Sequence, residues 1–577
     1  MTAARAAVPE LTAAAHAILE GRYLRRDHAG HVIRTVEDLF DEVSSFVAAA
    51  EDRYVPGTAD LWAGQFSDVM RRLEFLPNSP TLMNAGTRLG ILSGCFVLPR
   101  EDSLESIFTT LEQTALLHQA GAGTGFAFGH LRPAGDRVDS TGGSAAGPMA
   151  FLRLFNSAVD IVGQSSRRRG ACMGVLDVSH PDVLDFVHSK AHSGGLTHFT
   201  LSVAAPDSFL RAIESDGIQP LINPRTGVTV GNIRASRLFD AICAAAHYCG
   251  DPGILFLDTI NRTHPLPDRI EATNPCGEVP LLPYESCNLG SVNLAAFVHD
   301  RAIGWDQLTN TVRIGVRFLD DVIDVSRYPF DELAHAARRT RKIGLGFMGL
   351  AEVLAVLGIP YDSARAVRLA GDIAQHIGRT AHDASTELAA VRGTYPAAPE
   401  VRDARARMRR NLQVTSVAPT GSISLLAGTS AGIEPFAQIG VRRQILGSDI
   451  EEIERAFSSA ARALGCYSVR LETAVLKAGT VRSNPQVPTV LQEAFPTAVE
   501  IAPEWHVRMQ AAVQRHIDAA VSKTVMLPTD APDEVVRKVF LTAWRAGAKG
   551  VTVFRKADAG EIDRGFRDDS ATCPSCI

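Results

Sequence analysis

From about Leu76 onward, short apolar runs alternate with long amphipathic segments. ILSGCFVLP, CMGVLDVSHP, LTHFTLSVAAP and NLQVTSVAPTGSIS are of the first kind, each bounded by Gly, Ser, Thr, Pro or Asn. Residues 103–121, 148–164, 236–249, 364–392 and 449–464 are of the second and are predicted to be helices. Strand-length runs separated by helix-length periodic segments require crossover connections. They predict an α/β fold with substantial parallel pairing. Ahead of this region, Leu11, Ala14, Ala15 and Ile18 recur at helical spacing, and residues 36–50 and 59–73 repeat the pattern. The expected organisation is a helical region over 1–75, an α/β region over 76–555 and a polar, flexible tail over 556–577.

The chain has 577 residues, 46% hydrophobic and 21% charged, enough to bury a sizeable core. Its formal net charge of −6 argues against a general nucleic-acid or membrane-surface binder. No apolar run approaches the ~18 residues of a membrane span. The first residues lack a signal peptide's apolar core and carry acidic side chains. Nine cysteines are too few for a secreted disulfide scaffold. A soluble cytoplasmic protein is expected, whose cysteines need a reason other than crosslinking.

The segment TNPCGEVPLLPYESCNLGSVNLA carries the strongest chemical signal. Asn274, Cys276 and Glu278 are spaced by two, so in an extended chain an amide, a thiol and a carboxylate project from one face. Pro275 favours that extended reading by disfavouring the helical region at Asn274. Gly277 leaves room beside the thiol for a ligand. By spacing alone, a loop holding a buried structural cysteine fits equally well.

Asn-Pro-Cys-Gly-Glu followed by Ser-Cys-Asn-Leu-Gly-Ser resembles the active-site finger loop of ribonucleotide reductases. LPNSPTLMNAG, SGCFVLP, RRRGACMGVLDVSHPD, GDPGILFLD, SVAPTGSISLLAGTSAGIEP, SKTVMLP and GAKGVTVFRK resemble further family segments in the family's order, from about Leu11 to Arg555. The resemblance implies a ten-stranded α/β barrel with a catalytic finger loop, preceded by a helical region. It implies reduction of ribonucleotides to 2′-deoxyribonucleotides by thiyl-radical chemistry. Cys276 would carry the radical, Glu278 would take the 3′-OH proton and Asn274 would orient the sugar. Cys95 and Cys287 match the family's dithiol, whose disulfide is transient and catalytic.

Pro419, Thr420, Gly421, Ser422 and Ile423 lie at a strand-to-helix junction, where free backbone N–H groups suit phosphate. A Thr-Gly-Ser turn is common on its own. The resemblance makes this segment the substrate's phosphate cradle, with Ser79, Thr81 and Gly94 contributing from the other side. Asp139, Ser140 and Thr141, and Arg167, Arg168 and Arg169, resemble the family's two effector-linked loops. The resemblance therefore implies a deoxynucleotide effector bound at a homodimer interface. Without it, three consecutive arginines read as a solvated basic loop.

Gly344 to Gly349 fits G-x-G-x-x-G, yet the preceding ARRTRKI reads as a helix end, so a dinucleotide-binding turn is not expected. The same stretch resembles a helix-packing segment of reductases. The segment Gly550 to Arg555 lacks the tyrosine pair of oxygen-dependent reductases, and Gly565 is a poor match to a glycyl-radical loop. The remaining resemblance is to the adenosylcobalamin-dependent class, which binds its cofactor without a D-x-H-x-x-G histidine. No resident metal site is expected. Cys573 and Cys576 form a C-x-x-C pair. They match a mobile dithiol that re-reduces the catalytic pair and is itself served by a thioredoxin-like reductant, with half of a zinc site as the alternative. Cys243 shares a helix face with Phe239, Ile242 and Ala246 and reads as core. So few residues precede the first matching helix that an N-terminal ATP-binding cone, and dATP control through it, is not expected.

Overall fold

The computed structural model describes residues 6–99, 101–163, 170–190, 195–446 and 448–555. The effector-loop arginines Arg167, Arg168 and Arg169 and the tail cysteines Cys573 and Cys576 lie outside the described residues.

The N-terminal region is helical. Helices α1 (Ala13–Ile18), α2 (Val36–Ala48) and α3 (Ala59–Arg71) precede the sheet. Thr12 caps α1 through its side chain, and Thr35 with Asp38 forms a capping box on α2, satisfying N–H groups that a helix start leaves unpaired. After α1 the chain widens into one π-helical turn, Leu19–Tyr23.

Ten strands then share one sheet among the described residues. They are β1 (Phe75–Pro77), β2 (Cys95–Val97), β3 (Gly123–Ala127), β4 (Ala171–Asp177), β5 (Phe199–Ala205), β6 (Gly253–Phe256), β7 (Ser286–Asn293), β8 (Ile343–Met348), β9 (Thr524–Leu527) and β10 (Gly550–Arg555). Strands β2 to β6 run parallel to one another in chain order. A second parallel set joins β10 to β9 and β8 to β7. Residues 413–417 close the gap between them: Thr415 bridges Leu345 and Val417 bridges Val521, both in parallel sense. The two sets meet antiparallel at β6–β10 and at β7–β2. The result is a closed barrel of two five-membered parallel halves, as expected, with β1 paired antiparallel to β7 outside the ring.

Helices cover the outside. Among them are α4 (Ser79–Asn84), α5 (Leu104–Gln119), α6 (Pro148–Gly163), α7 (Trp305–Val325), α8 (Leu350–Val356), α9 (Ala364–Arg392) and α10 (Gly421–Ala427). Ser103 caps α5 and Ser363 caps α9. The predicted helix over 449–464 is only half right. Ser448–Ile453 is a strand paired with Gly440–Ile445, and the helix is Arg455–Ala463. The DIEEI run alternates, with Ile450 buried and Glu451 paired across the strands to Arg442 at 2.9 Å; period two outcompetes period 3.6 there.

The G-x-G-x-x-G stretch is neither a dinucleotide turn nor a helix-packing segment. It is β8 itself, buried at every position. A Cβ on Gly344 would lie 2.9 Å from Ser416 Cβ, and one on Gly346 would lie 2.2 Å from Ser416 O. These glycines let the 413–417 segment approach.

Between β6 and β7 the chain enters the barrel as a short hairpin, Ala272–Thr273 paired with Pro280–Leu281. Gly125 of β3 admits it: a Cβ there would lie 1.8 Å from Thr273 O. The interior core contains Val97, Met173, Val175, Leu255 and Leu289 from the wall and Ala272, Val279 and Leu281 from the hairpin. Gly125→Ala is therefore expected to destabilise the protein by about 2–3 kcal/mol. Gly143→Ala, in an exposed turn, should stay within about 0.5 kcal/mol. Denaturant midpoints of both variants check this, and equal midpoints would contradict the packing described.

Candidate active site

The hairpin tip carries Asn274, Cys276 and Glu278, but not on one face of an extended strand. The chain turns there: Gly277 N–H donates to Asn274 O at 3.1 Å, and Gly277 adopts φ +80°. The i to i+3 turn, not strand alternation, brings the three side chains together. Among the described residues, no atom beyond its chain neighbours lies within 4 Å of a Cβ built on Gly277, so the glycine is required by its left-handed backbone, and the space beside it is open among those residues.

Both barrel halves hold this tip. Thr200 Oγ1 of β5 donates to Pro275 O at 2.9 Å. Ser416 Oγ and Ala520 N–H each donate to Glu278 O at 2.9 Å. Asn274 is fully buried, and its Oδ1 accepts Val279 N–H at 3.0 Å, which fixes the amide's orientation. Its Nδ2 then points at Cys95 Sγ, 3.2 Å away. Glu278 is buried, whereas Cys276 is half-buried.

Cys95 and Cys287, 192 positions apart by number, are direct cross-strand partners on β2 and β7. Both are buried, and the structure joins neither in a disulfide. Directly opposed residues on antiparallel strands have Cα atoms about 4.5–5.5 Å apart, within the span of a disulfide. Burial pushes the Cys287 thiol well above its ordinary range; the charges of Cys95, Glu278 and Glu285 add to this and Lys342 opposes it. A Cβ on Gly344 would lie 3.3 Å from Cys287 Sγ. Nearby, Lys342 Nζ pairs with Glu285 at 2.5 Å in a buried ion pair, which Thr340 Oγ1 and Leu282 N–H complete. Sequence reasoning missed Glu285 and Lys342. No spacing rule links residues 57 apart that each precede one of two neighbouring strands.

A cleft joins Cys95 and the hairpin tip to residues 419–423. Ser79, Gly94, Cys95, Asn274, Cys276 and Glu278 line it, as do Pro419, Thr420, Gly421, Ser422 and Ile423. Thr420 sits at φ +54° in the N-cap position of α10 without capping it through its side chain, and the first backbone N–H groups of α10 have no preceding helical turn to pair with. The N-terminus of α4 borders the same cleft through Asn78 and Ser79. Thr81 does not line it. Its hydroxyl lies 2.7 Å from Asn78 Oδ1 and 3.1 Å from Leu92 O, so it ties the start of α4 to the wall. Three neighbours went unread in the sequence. Asn78 Nδ2 is buried beside Gly94 with no protein partner. Arg22 Nη1 donates to Ser422 Oγ at 2.5 Å, and Tyr23 OH lies 2.7 Å from Ser79 Oγ. Helical periodicity marked the region holding Arg22 and Tyr23 but not where they point.

Asp139, Ser140 and Thr141 occupy an exposed turn before α6, closed by pairing of Arg137 with Ser144. Arg137 lies 3.3 Å from Asp139, and Arg225 holds neighbouring Asp136, whose carboxyl it depresses well below the usual range. The turn lines no part of the cleft. Ala171, first residue of β4, does. Next to it Cys172 lies buried with Thr124 and His118, its Sγ 3.4 Å from Thr124 Oγ1. Cys243 is buried among Phe239, Ile242 and Ala246, as expected, and burial pushes its thiol up.

Comparison with known proteins gives a consistent result. The family described as "Ribonucleotide reductase, all-alpha domain" matches residues 9–90, and "Ribonucleotide reductase, barrel domain" matches 93–409 and 400–554. A "Vitamin B12-dependent ribonucleoside-diphosphate reductase" of Mycobacterium tuberculosis (strain CDC 1551 / Oshkosh) is 59% identical over 549 residues, covering 95% of this chain and 79% of that protein. A protein with the same description from Thermoplasma acidophilum is 40% identical over 608 residues, with the same two coverages. Among solved structures, "Actinobacillus ureae class Id ribonucleotide reductase alpha subunit" superposes with a TM-score of 0.78 at 23% identity, covering 96% of this chain and 98% of that one; this likeness concerns the fold.

The cross-strand register makes a direct prediction. Mild oxidation of the protein is expected to join the peptides containing Cys95 and Cys287. Either Cys→Ser substitution should abolish that product in peptide mass spectra after alkylation. Finding both thiols alkylated after oxidation would contradict the geometry.

Proposed function

This chain belongs to the ribonucleotide reductase family, and from that premise we propose that it reduces ribonucleoside diphosphates to 2′-deoxyribonucleotides with adenosylcobalamin as radical source. One observation carries the reading. Amide, thiol and carboxylate converge on a hairpin tip that faces a cross-strand dithiol at one side of a cleft and two helix N-termini at the other. Both curated relatives quoted above are described as vitamin B12-dependent diphosphate reductases.

The roles follow from the positions. Cys276 abstracts the 3′-hydrogen as a thiyl radical. Glu278 takes the 3′-OH proton as general base. Asn274, its amide fixed by Val279, donates to the sugar. Loss of the 2′-hydroxyl as water needs two electrons and two protons, and Cys95 and Cys287 supply them by closing a disulfide. Cys276 then returns the hydrogen to C3′. Ser79, the first turn of α10 and Gly94 receive the phosphates.

Two features suit a large cofactor: Cys276 is half-buried rather than sealed, and the space beside Gly277 is open. When bound, adenosylcobalamin supplies the oxidising radical by homolysis of its cobalt–carbon bond. The face beside Gly277 is where it would reach the thiol. The alternative reading, a large subunit served by a separate oxygen-dependent radical subunit, is disfavoured by β10, whose GVTVFR sequence holds no tyrosine. A non-catalytic nucleotide-binding regulator would not need the complete set Asn274, Cys276, Glu278, Cys95 and Cys287.

Partners follow the same reading. A deoxynucleotide effector would bind near the 139–141 turn, with Arg167, Arg168 and Arg169 as its partners, at the interface of a homodimer. Exposed Leu104, Phe108 and Leu116 on α5 and Ile161 on α6 offer an apolar face for that pairing. A thioredoxin-like reductant would act through Cys573 and Cys576. No helix among the described residues is long and apolar enough to cross a membrane, and a cytoplasmic location fits the reducing chemistry.

Anaerobic turnover with adenosylcobalamin and no second protein subunit is the expected result; strict dependence on a diiron or dimanganese partner would overturn the cofactor assignment. Cys276→Ser is expected to abolish turnover and leave nucleotide binding nearly intact, and deoxynucleotide formed by that variant would overturn the mechanism. Cys573→Ser should stop multiple turnovers with a protein reductant but not with a small dithiol. Equal loss with both would contradict the tail's role.

A further inference from the structure

A ribonucleoside diphosphate brings a charge of about −2 to −3 at neutral pH. Among the described residues that line the cleft, none is Lys or Arg, and Glu278 is itself acidic. The phosphate end offers two helix starts and the hydroxyls of Ser79 and Ser422. Helix N-termini carry only partial charge, about half an elementary charge each, and short helices carry less.

A full positive charge stands one atom behind this wall. Arg22 is only 3% exposed, and its guanidinium donates to Ser422 Oγ at 2.5 Å. The next residue, Tyr23, is 1% exposed and its hydroxyl is 2.7 Å from Ser79 Oγ. Consecutive residues of the N-terminal helical region therefore reach the two hydroxyls that flank the phosphate end. The π-helical turn Leu19–Tyr23 buries both side chains. Next to them, Gly21 leaves no room for a Cβ, which would lie 2.5 Å from Leu446 Cδ1 of a facing hairpin. A wide turn packed at this point holds Arg22 and Tyr23 inward.

We propose that Arg22 is a positioning residue of the substrate site. Seconded by Tyr23, it supplies the positive charge and the hydroxyl orientation by which this protein reads the number of phosphates on its ribonucleotide. An Oγ that accepts from a guanidinium keeps its own O–H to donate, and the cation polarises that O–H toward an anion. When substrate is bound, Ser422 would thus meet phosphate with a cation behind it, whatever partner its hydroxyl has without substrate. Tyr23 OH and Ser79 Oγ, 2.7 Å apart, form a second hydroxyl pair without the charge. Buried in low dielectric, Arg22 acts on the phosphates across the intervening hydroxyl far more strongly than an exposed cation would. The N-terminal region becomes part of the substrate site rather than a cover. This proposal rests on the ribonucleotide reductase reading.

The test compares Arg22→Met, Arg22→Gln, Arg22→Lys and Tyr23→Phe with the unaltered protein. The measurements are KM and kcat for a ribonucleoside diphosphate, equilibrium binding of the matching mono- and diphosphates, and the thermal midpoint. Arg22→Met and Arg22→Gln are expected to raise the diphosphate KM by about tenfold, more than they lower kcat, and to shrink the preference for diphosphate over monophosphate. Arg22→Lys should restore most of that preference, and Tyr23→Phe should cause a smaller loss. A purely structural role predicts a lowered midpoint with mono- and diphosphate weakened alike, and that pattern would overturn the proposal. Should Arg22→Met fail to fold, Lys and Gln decide: preference kept with Lys and lost with Gln supports it, and the same result in both overturns it. If the unaltered protein forms no deoxynucleotide, the reductase reading fails separately, while the binding series still reports on Arg22.

Discussion

Everything in the site depends on a hairpin being accommodated inside a closed barrel. The barrel wall at β3 has no side chain at Gly125, because Thr273 O occupies the place a Cβ would take. Threading polar backbone through a core is costly unless each group is paired, about 1–3 kcal/mol for each one left unmade. The pairing comes from opposite walls: Thr200 from the first parallel half, Ser416 and Ala520 from the second. The tip is thus fixed by both halves at once, and neither half alone would position Cys276. The same closure brings β7 against β2, so the barrel seam that seats the hairpin also makes the Cys95–Cys287 pair.

The helical N-terminal region is joined to the barrel by buried charge. Arg392 pairs with Glu51, Asp320 and Asp321 at 2.6–2.8 Å, all nearly or fully buried. Arg341 adds Asp320 and Asp324, and Arg410 donates to Tyr54 OH at 2.6 Å. The surrounding arginines hold Asp320 far below the usual carboxylate range against the opposing effect of burial, whereas burial lifts Asp321 well above it. Such networks contribute little net stability compared with apolar packing, but misdocking would strand charges in the core. They therefore fix the orientation of Glu51 and Tyr54 on the N-terminal side relative to α7 and α9. Arg22 and Tyr23, which meet Ser422 and Ser79, belong to the same N-terminal region.

Most of the fold and the grouping of Asn274, Cys276 and Glu278 are legible in sequence, for different reasons. Helix caps such as Ser103 and Ser363 and the amphipathic period of α5 and α9 are local signals and needed no tertiary input. The Asn274–Cys276–Glu278 group was identified correctly as a constellation for a wrong geometric reason. Spacing by two suggested a strand, while the structure uses a turn at Gly277, whose positive φ only the hairpin context demands. Thr81 ties α4 to the wall instead of lining the cleft, because a hydroxyl in the matching motif can serve the wall as readily as the cleft. The β8 glycines imitated a phosphate loop, since G-x-G-x-x-G records close approach without saying what approaches; here it is the 413–417 segment.

The sequence by itself determined the alternation of strands and helices, the helical lead-in, the family and the chemical identity of the groups on the hairpin. These are encoded in periodicity and in motifs a few residues long. Only the tertiary structure decided that Cys95 faces Cys287, that Lys342 and Glu285 are buried nearby, and that Arg22 and Tyr23 reach Ser422 and Ser79. Each of these is a contact between segments 56 to 400 positions apart. Their meeting is set by barrel closure and register, and no local preference of the chain carries that information.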